Sequence, residues 1–420
     1  MQSIEVRCRC GEVYRADATQ VGRRLRCRCG RTPLIRRSTR AGFAASAKDA
    51  ATRLRGAIRR RLLRDSGPLS RKRARAAGSA APAACVTALV WLATGYLLAA
   101  VLAWLALWTL GERWWPATVF LYGPRWLLLL PLALLVPCAA LLRPRLLFPL
   151  LAGSLIVLGP VMGLRVGWRR WLPIPQEVER VRVLTLNTEG QSGVQQGVMV
   201  GLARVLLRTS PDVILIQECG QELAVAFAFL PGWHHGAEEG LCVLSRYRIL
   251  ATARFDGTGM EFARERRIGG SGRAIAYTLD VPGGPMRLVN LHLETPRKGL
   301  ERLFHSETAP LRVNTELRRI QSRQVAAWVA TLGPSLVVAG DFNLPVESPI
   351  YRQGWGDFRN AFSRMGFGFG MTRYNGWIRV RIDHVLTRGE WRAIRARVGP
   401  DVRSDHRPVI AELVRAGSGG

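Results

Sequence analysis

The sequence lacks charged residues over one long stretch, residues 76–111, and it also lacks a cleavable signal peptide at its start. A surface helix of a soluble protein needs a polar face, so a stretch of this length without charge excludes that structure. Residues 1–30 are rich in cysteine and arginine, unlike a secretory signal. The first apolar segment is therefore expected to stay in the protein as an uncleaved membrane anchor.

Three apolar runs follow one another at residues 85–110, 117–142 and 146–168. Each is long enough for a bilayer, which needs about 20 apolar residues. The second run reaches back to Ala117 if Arg125 extends its charge to the membrane surface. Tryptophans flank the runs, as interfacial aromatics do: Trp114, Trp115, Trp126, Trp168 and Trp171. A buried soluble core is a poor alternative because the runs have no polar face, so we interpret residues 85–172 as three transmembrane spans.

Basic charge is concentrated near the N terminus. The net charge is +31, and residues 1–80 contain 22 Lys or Arg against 5 Asp or Glu, whereas residues 177–420 contain 32 against 24. Beside a membrane helix, such an excess attracts anionic lipid and favours the cytoplasmic side. The high isoelectric point is therefore no proof of nucleic-acid binding.

The same rule predicts a topology. Arg143 and Arg145 lie between the second and third runs and indicate a cytoplasmic loop. Three spans then place everything after about residue 172 outside the cell membrane. Arginines at 165, 169 and 170 oppose this orientation, but the N-terminal excess is far larger.

Two similar cysteine pairs, each followed by glycine, lie near the N terminus: Cys8 with Cys10, and Cys27 with Cys29. Four thiolates suit tetrahedral zinc, and residues 1–35 look like a small zinc ribbon that would bind Zn²⁺. The usual ribbon spacing is Cys-x-x-Cys, however, and here it is Cys-x-Cys. A degenerate ribbon or free cytosolic thiols are the alternatives. Residues 36–84 are interpreted as a basic linker.

Strand-like and helix-like segments alternate over residues 177–415. Apolar runs predict strands at 181–186, 212–216, 241–245, 274–279, 287–293, 336–339, 382–386 and 409–413, and helical spacing predicts helices at 199–209 and 314–331. The alternation indicates an α/β fold with mostly buried strands.

Polar motifs follow these strands in a fixed order. They are Leu186-Asn187, Gln217-Glu218, Asn290-Leu291-His292-Leu293, Gly340-Asp341-Phe342-Asn343, Ile382-Asp383-His384 and Ser404-Asp405-His406-Arg407-Pro408. In this order the motifs resemble the endonuclease/exonuclease/phosphatase superfamily, whose fold is similar to deoxyribonuclease I, over roughly residues 180–414. The resemblance implies a four-layer α/β sandwich and hydrolysis of phosphoesters that depends on Mg²⁺ or Mn²⁺.

The resemblance also implies residue roles. The expected metal ligands are Asn187, Glu218 and Asp405, and the expected catalytic residues are His292, Asp341, Asn343, Asp383 and His406. Asp341 would orient or deprotonate the attacking water, and Asn343 would donate to a phosphoryl oxygen. His406 would contact the phosphate or act as a general acid or base, and Asp383 would orient His292. His384 is interpreted as a packing residue.

The substrate stays open at this point. A membrane-tethered hydrolase fits a nuclease, and it fits a phospholipid or sphingomyelin-type phosphodiesterase equally well. A third possibility, from another class, is a non-catalytic binding or sensor module; the intact polar motifs argue against it. No protein partner is identifiable. Cys219 and Cys242 could form a disulfide outside the cell, or could be buried thiols.

Overall fold

The computed structural model describes residues 3–7, 13–17, 28, 68–171, 179–190, 192–257, 272–303 and 307–416. The chain divides into two compact units, Met1–Ala88 and Leu89–Gly420. The described helices are α1 Pro68–Thr109, α2 Trp115–Tyr122, α3 Leu132–Leu142, α4 Leu147–Ile156, α5 Ser192–Thr209, α6 Gln221–Ala228, α7 Arg297–Leu303, α8 Ala309–Thr331, α9 Pro349–Trp355 and α10 Ala361–Met365. Short 3₁₀ or π segments occupy Arg125–Leu129, Pro144–Leu146, Val157–Val161 and Trp168–Trp171.

The described strands are β1 Ser3–Arg7, β2 Val13–Asp17, β3 Arg165–Val166, β4 Val181–Asn187, β5 Val213–Gln217, β6 His234–Glu238, β7 Leu241–Ser245, β8 Ile249–Arg254, β9 Arg273–Leu279, β10 Met286–His292, β11 Leu336–Asp341, β12 Arg359–Asn360, β13 Phe367–Gly368, β14 Arg373–Asn375, β15 Ile378–Val380, β16 Asp383–Arg388, β17 Trp391–Val398 and β18 Val409–Arg415. In the N-terminal unit, β1 and β2 form an antiparallel hairpin. The four cysteines predicted to bind zinc, Cys8, Cys10, Cys27 and Cys29, lie outside the described residues.

Three helical segments are long and apolar enough to cross a membrane: Ala83–Thr109, Arg125–Leu142 and Pro144–Val161. The second starts at Arg125 and not at Ala117, because residues 115–122 form the separate helix α2. Leu121 and Tyr122 at the end of α2 are buried in one apolar cluster with Val380 and Ile382. One side of the connection between the first two candidate spans is thus buried against the C-terminal domain, while Trp114, Trp115 and Val119 are exposed.

Two six-stranded sheets form the C-terminal domain. Their strand orders are β17-β18-β4-β5-β7-β6 and β12-β16-β11-β10-β9-β8. The two central strands of each sheet are parallel, β4 with β5 and β10 with β11, and the outer neighbours are antiparallel.

The sheets pack face to face, with helices on their outer faces. Val213 and Leu215 of β5 face the opposite sheet, whereas Ile214 and Ile216 face α5 and α6. Helices α8 and α9 cover the outer face of the second sheet in the same way. Strands buried on both faces need apolar residues at every position, which explains their continuous apolar runs. The structure is a four-layer α/β sandwich, and the predicted fold class is confirmed.

Candidate active site

The two sheets bring their polar strand ends to one edge of the sandwich. β4 ends at Asn187 and β5 is followed by Glu218, while β10 ends at His292 opposite Asp341 at the end of β11. Antiparallel neighbours start where these strands stop, so Asp383 at the start of β16 pairs with Asp341. The loop before β18 adds Asp405 and His406 at the same edge.

Asn187 holds two carboxylates together. Its Nδ2 donates to Oε1 of Glu218 at 3.0 Å and to Oδ2 of Asp341 at 3.0 Å. Its Oδ1 accepts the backbone N–H of Glu189 at 2.9 Å. Asn187 was expected to be a metal ligand. In the structure its amide nitrogen joins the Glu218 carboxylate, which follows the first sheet, to the Asp341 carboxylate of the second sheet. Its amide oxygen already accepts the Glu189 hydrogen bond.

Asp341 and Asn343 form a tight turn after β11. The backbone N–H of Asn343 donates to Oδ1 of Asp341 at 2.8 Å. Its side-chain Nδ2 donates to the carbonyl of Leu293 at 2.9 Å and lies 3.4 Å from Oδ2 of Asp341. The amide expected to reach a phosphoryl oxygen is therefore directed into the protein. Burial, and next the Asp383 carboxylate, raise the pKa of Asp341.

His406 pairs with Asp383. Nδ1 of His406 lies 2.9 Å from Oδ2 of Asp383, and both side chains are buried. The expectation that Asp383 orients His292 is therefore wrong, because the loop before β18 carries His406 over the start of β16. The hydroxyl of Thr372 accepts the backbone N–H of Asp383 at 3.1 Å and fixes that strand start.

The surroundings of His406 favour its charged form. Burial alone would lower the pKa of this imidazole. The carboxylates of Asp383, Asp341 and Asp405, together with the hydrogen bond to Asp383, outweigh burial and raise the pKa to about 9. Nε2 of His406 is 3.8 Å from Oδ2 of Asp341 and 3.7 Å from Oδ1 of Asp405.

His292 and Asp405 complete the predicted set. Nε2 of His292 lies 3.7 Å from Oδ2 of Asp341 and 3.8 Å from Oε1 of Glu218. Oδ2 of Asp405 accepts two hydrogen bonds from the Arg373 guanidinium, at 3.1 and 3.2 Å. All eight predicted residues of this domain thus lie at one sheet edge, though Asp405 is paired with an arginine that sequence reasoning did not include.

Two residues of the site have left-handed backbone. Glu218 has φ 52° and Asn343 has φ 51°. Non-glycine residues rarely adopt this conformation, and such strain persists only where surrounding contacts hold it. Here the contacts are those of Asn187 with Glu218 and of Leu293 with Asn343.

Comparison with protein families matches residues 184–406, over half of the chain, to the Endonuclease/Exonuclease/phosphatase family. The chain belongs to this family. A comparison with curated proteins gives no match.

Solved structures of similar fold include an endonuclease/exonuclease/phosphatase family protein from Bacteroides thetaiotaomicron, with 16% identity over 57% of this chain and 96% of that chain, and a TM-score of 0.44. A humanized TDP2 of D. rerio has 14% identity over 56% of this chain and 98% of that chain, with a TM-score of 0.44. Sphingomyelinase C of Streptomyces griseocarneus has 19% identity over 56% of this chain and 99% of that chain, with a TM-score of 0.39. These identities are too low to transfer a substrate.

Members of the endonuclease/exonuclease/phosphatase family generally use divalent metals, and the residues here fit such a cation. Carboxylate oxygens of Asp341 and Asp383 lie within 4.8 Å of each other, and a ring nitrogen of His406 is equally near. Because both ring nitrogens of a charged imidazole carry protons, the two carboxylates and not His406 would hold the ion. Oδ1 of Asp383 is buried and accepts no hydrogen bond from the described residues, as an oxygen left for a cation would. Glu218 adds a side chain that is 39% exposed. Carboxylate oxygens are the ligands Mg²⁺ prefers.

Beneath the family's polar site lies a buried network that sequence reasoning missed. Nε2 of Gln217 donates to Oδ1 of Asn290 at 2.7 Å, and Nδ2 of Asn290 donates to the carbonyls of Ile216 and Cys242 at 3.1 and 3.0 Å. The network joins the two sheets just below the catalytic edge. Two amides inside apolar strands were the available signal, because a buried amide requires partners.

A disulfide joins Cys219, the residue after Glu218, to Cys242 of β7, 23 residues further along the chain. Of the two alternatives left by the sequence, the structure has the bonded pair. The bridge ties the loop that carries Glu218 to the adjacent antiparallel strand.

Proposed function

We propose that this protein is a membrane-anchored hydrolase of phosphodiesters that requires Mg²⁺ or Mn²⁺, with Asp341 and His406 as its central catalytic residues. One observation supports this above all. The Asp383–His406 pair lies within 4 Å of Asp341, which Asn187 joins to Glu218, so acid, base and anionic ligands meet at one point. Asn343, Asp405 and His292 form the border of this site.

The directions of the pKa shifts support a general-base role for Asp341 and a general-acid role for His406. Asp341 would orient the attacking water and take its proton, because a raised pKa makes the carboxylate a better base. His406, with its pKa of about 9, would be an imidazolium at neutral pH. Its Nε2–H is free to donate to a phosphoryl or leaving oxygen, while Asp383 holds Nδ1–H and stabilises the positive charge.

A divalent cation held by Glu218 with Asp341, Asp383 or Asp405 would supply charge neutralisation at the phosphoryl oxygens. Asn187 would keep the Glu218 and Asp341 carboxylates at a fixed spacing. His292, beside both carboxylates and 25% exposed, would contact the phosphate from the other side.

The test is hydrolysis of bis-p-nitrophenyl phosphate by the full chain. Asp341→Asn and His406→Gln should each lower kcat/KM by at least about a hundredfold, the usual contribution of a general acid or base. Asp280→Asn, an exposed acid at the opposite edge of the same sheet, should leave kcat/KM unchanged. Chelation should abolish turnover and Mg²⁺ should restore it. Full activity in both site variants would refute the assignment, and an inactive wild-type protein would favour a binding or sensor module.

The membrane segments support a location for the domain. Trp108 near the end of the first span contacts Arg352, Arg125 at the start of the second pairs with Glu347 at 3.2 Å, and Val161 at the end of the third packs on the C-terminal domain. All three span ends therefore meet the catalytic domain, as three crossings require. With Arg143 and Arg145 at the opposite ends, the positive-inside rule supports an extracytoplasmic domain. The Cys219–Cys242 disulfide fits that oxidising location.

A second candidate is a phosphodiesterase acting on membrane lipids. A cavity of about 790 Å³ lies between the start of the second span and the β14–β15 hairpin. Trp126 of the span stacks on Trp377 of the hairpin, at 5.9 Å between ring centroids, and Arg379 lines the same space. Aromatic and cationic groups at a membrane boundary favour lipid headgroups.

The base of the hairpin connects this cavity with the catalytic edge. The backbone N–H of Tyr374, which also lines the cavity, donates to the carbonyl of Asp405 at 2.7 Å. If lipid is the substrate, Trp377→Ala should slow hydrolysis of sphingomyelin or phosphatidylglycerol in vesicles and leave hydrolysis of the soluble ester unchanged. Equal rates of vesicle hydrolysis by the wild type and by Trp377→Ala would reject the lipid candidate. Cleavage of DNA but not of lipid would reject it as well.

A further inference from the structure

A buried polar cluster joins the connection between the first two spans to the catalytic loop. Its members are Glu112, just after α1, Tyr122 at the end of α2, and Arg318 in the middle of α8, and each has at most 6% of its surface exposed. Nη1 of Arg318 lies 2.8 Å from Oε1 of Glu112. The Tyr122 hydroxyl lies 2.9 Å from the same Glu112 oxygen and also accepts a hydrogen bond from Arg318.

The cluster ends on the backbone of Asn343. The carbonyl oxygen of Asn343 lies 2.9 Å from Nη2 of Arg318 and 3.1 Å from the Tyr122 hydroxyl. Burial raises the pKa of Tyr122 well above its ordinary value, so the hydroxyl keeps its proton. Asn343 is one of the site's two left-handed residues, and its N–H is bonded to Asp341. Its carbonyl and its N–H are therefore both held, one by the cluster and one by the catalytic carboxylate.

Fold stability alone explains this cluster poorly. Glu112 is the one acidic residue in the sequence between positions 81 and 176. A buried ion pair adds little net stability, because the cost of removing two charges from water offsets their attraction. What such a pair does provide is a defined geometry for the groups it contacts. Here those groups are the Asn343 carbonyl and Ser348, whose hydroxyl donates to Oε2 of Glu112 and caps α9.

We propose that Glu112 and Tyr122 are positioning residues for the catalytic loop, so that the segment between the first two membrane spans is a working part of the active site. They act through the Asn343 carbonyl and touch no substrate. Together with Arg318 they hold the left-handed turn that presents Asp341 to Asn187 and His406. This inference rests on the proposed phosphodiesterase activity and adds a catalytic role to a segment that links two spans and packs on the C-terminal domain.

The decisive variant is Tyr122→Phe in the full chain, reconstituted in lipid nanodiscs. It removes one hydroxyl and leaves the ring and the Glu112–Arg318 pair in place. We expect kcat on bis-p-nitrophenyl phosphate to fall roughly tenfold with KM within about twofold of wild type, since small misplacements of catalytic groups cost rate more than binding. The melting temperature should change little.

Arg352→Ala is the matched control. Arg352 bonds to the Trp108 carbonyl at 2.5 Å, on the same boundary between membrane segment and catalytic domain, but it has no contact with Asn343. Loosening this boundary should leave kcat unchanged. If Arg352→Ala and Tyr122→Phe lower kcat equally, or if Tyr122→Phe retains wild-type kcat, the positioning role is refuted.

Hydrogen exchange gives a readout that does not depend on activity. The amide hydrogens of residues 341–344 should exchange faster in Tyr122→Phe than in the wild type or in Arg352→Ala. Unchanged exchange would overturn the inference even if the enzyme reaction proved to be a different one. Should Glu112→Gln fail to fold because it leaves Arg318 charged and unpaired, the double variant Glu112→Gln with Arg318→Met removes both charges. It should fold and show the same loss of kcat.

Discussion

At the residue scale, the two histidines that neighbour Asp383 differ in their environment. His406 faces three carboxylates and is expected to be charged. His384 is buried between the rings of Phe342 and Tyr351, with Nε2 lying 2.8 Å from the Leu344 carbonyl. Burial, and next the nearby Arg381 charge, lower the pKa of His384 to about 4. Two histidines beside the same carboxylate, His384 and His406, therefore differ in charge: the pKa of His406 is raised and that of His384, 22 residues earlier in the chain, is lowered.

This difference predicts a pH dependence of stability. The folded-state pKa of His384, about 4, lies below the ordinary value of about 6.5, so protonation favours the unfolded chain. The contribution of His384 is complete above pH 6.5 and is lost as pH falls towards 4, by roughly 3 kcal/mol in all. His384→Gln can donate and accept hydrogen bonds but does not titrate. Between pH 7 and 4.5, the urea midpoint of unfolding should fall less steeply for His384→Gln than for the wild type. Parallel plots of midpoint against pH would contradict the lowered pKa of His384.

At the element scale, the strands that could be predicted are those buried on both faces. The runs at 213–216, 241–244 and 336–339 are wholly apolar, and the structure has strands there. β6 and the β14–β15 hairpin were missed, because β6 is largely exposed and has little apolar character, and the hairpin strands have only three residues each. Each of these strands pairs with the strand next to it in sequence, β6 with β7 and β14 with β15, so they were missed because short or exposed strands carry no apolar pattern.

The site shows a different limit, the pairing of side chains that are distant in sequence. The position of the polar residues directly after the predicted strands was enough to place them at one edge of the sheets, because neighbouring parallel strands end at the same edge. Partner choice was not predictable: Asp383 lies 23 residues from His406 and Arg318 lies 206 residues from Glu112, and only the packing of loops and helices brings them together. Asp383 was accordingly assigned to the wrong histidine.

Gly340 of β11 lies against Leu291 of β10, its partner in the parallel pair. Its φ is 147°, and a Cβ there would lie 1.9 Å from the carbonyl oxygen of Leu291. Gly340→Ala must therefore push the parallel strands apart next to Asp341 and should cost roughly 2 kcal/mol or more of stability. Gly236→Ala on the edge strand β6, where the nearest atom is Cγ1 of Val243 at 3.2 Å, is the control. Similar melting temperatures for both variants would show that the strands tolerate the displacement.

At the scale of the whole molecule, the C-terminal domain and the candidate spans from Leu89 onward form one compact unit, Leu89–Gly420. Arg352 contacts Trp108, Glu347 pairs with Arg125, and Val380 lies in one apolar cluster with Val161, so the domain contacts one end of each candidate span. With the topology proposed above, the proposed hydrolase would act on phosphodiesters at or near the outer surface of the cell membrane.

Cysteine labelling in intact cells tests this placement. Arg208→Cys, on the exposed side of α5, should react with a membrane-impermeant maleimide without permeabilisation, and Arg145→Cys, between the second and third spans, should react only after it. Both variants carry serine at Cys8, Cys10, Cys27 and Cys29, so these thiols give no background. Cys219 and Cys242 are bonded to each other and should not contribute, and Cys85 and Cys138 lie within the candidate spans. We expect this order of labelling because Arg143 and Arg145 lie in the loop between the second and third spans. Moving their charges across the membrane is costly, so the loop should stay in the cytoplasm. Labelling of Arg145→Cys alone in intact cells would place the catalytic domain in the cytoplasm, where the Cys219–Cys242 bond would be kept reduced.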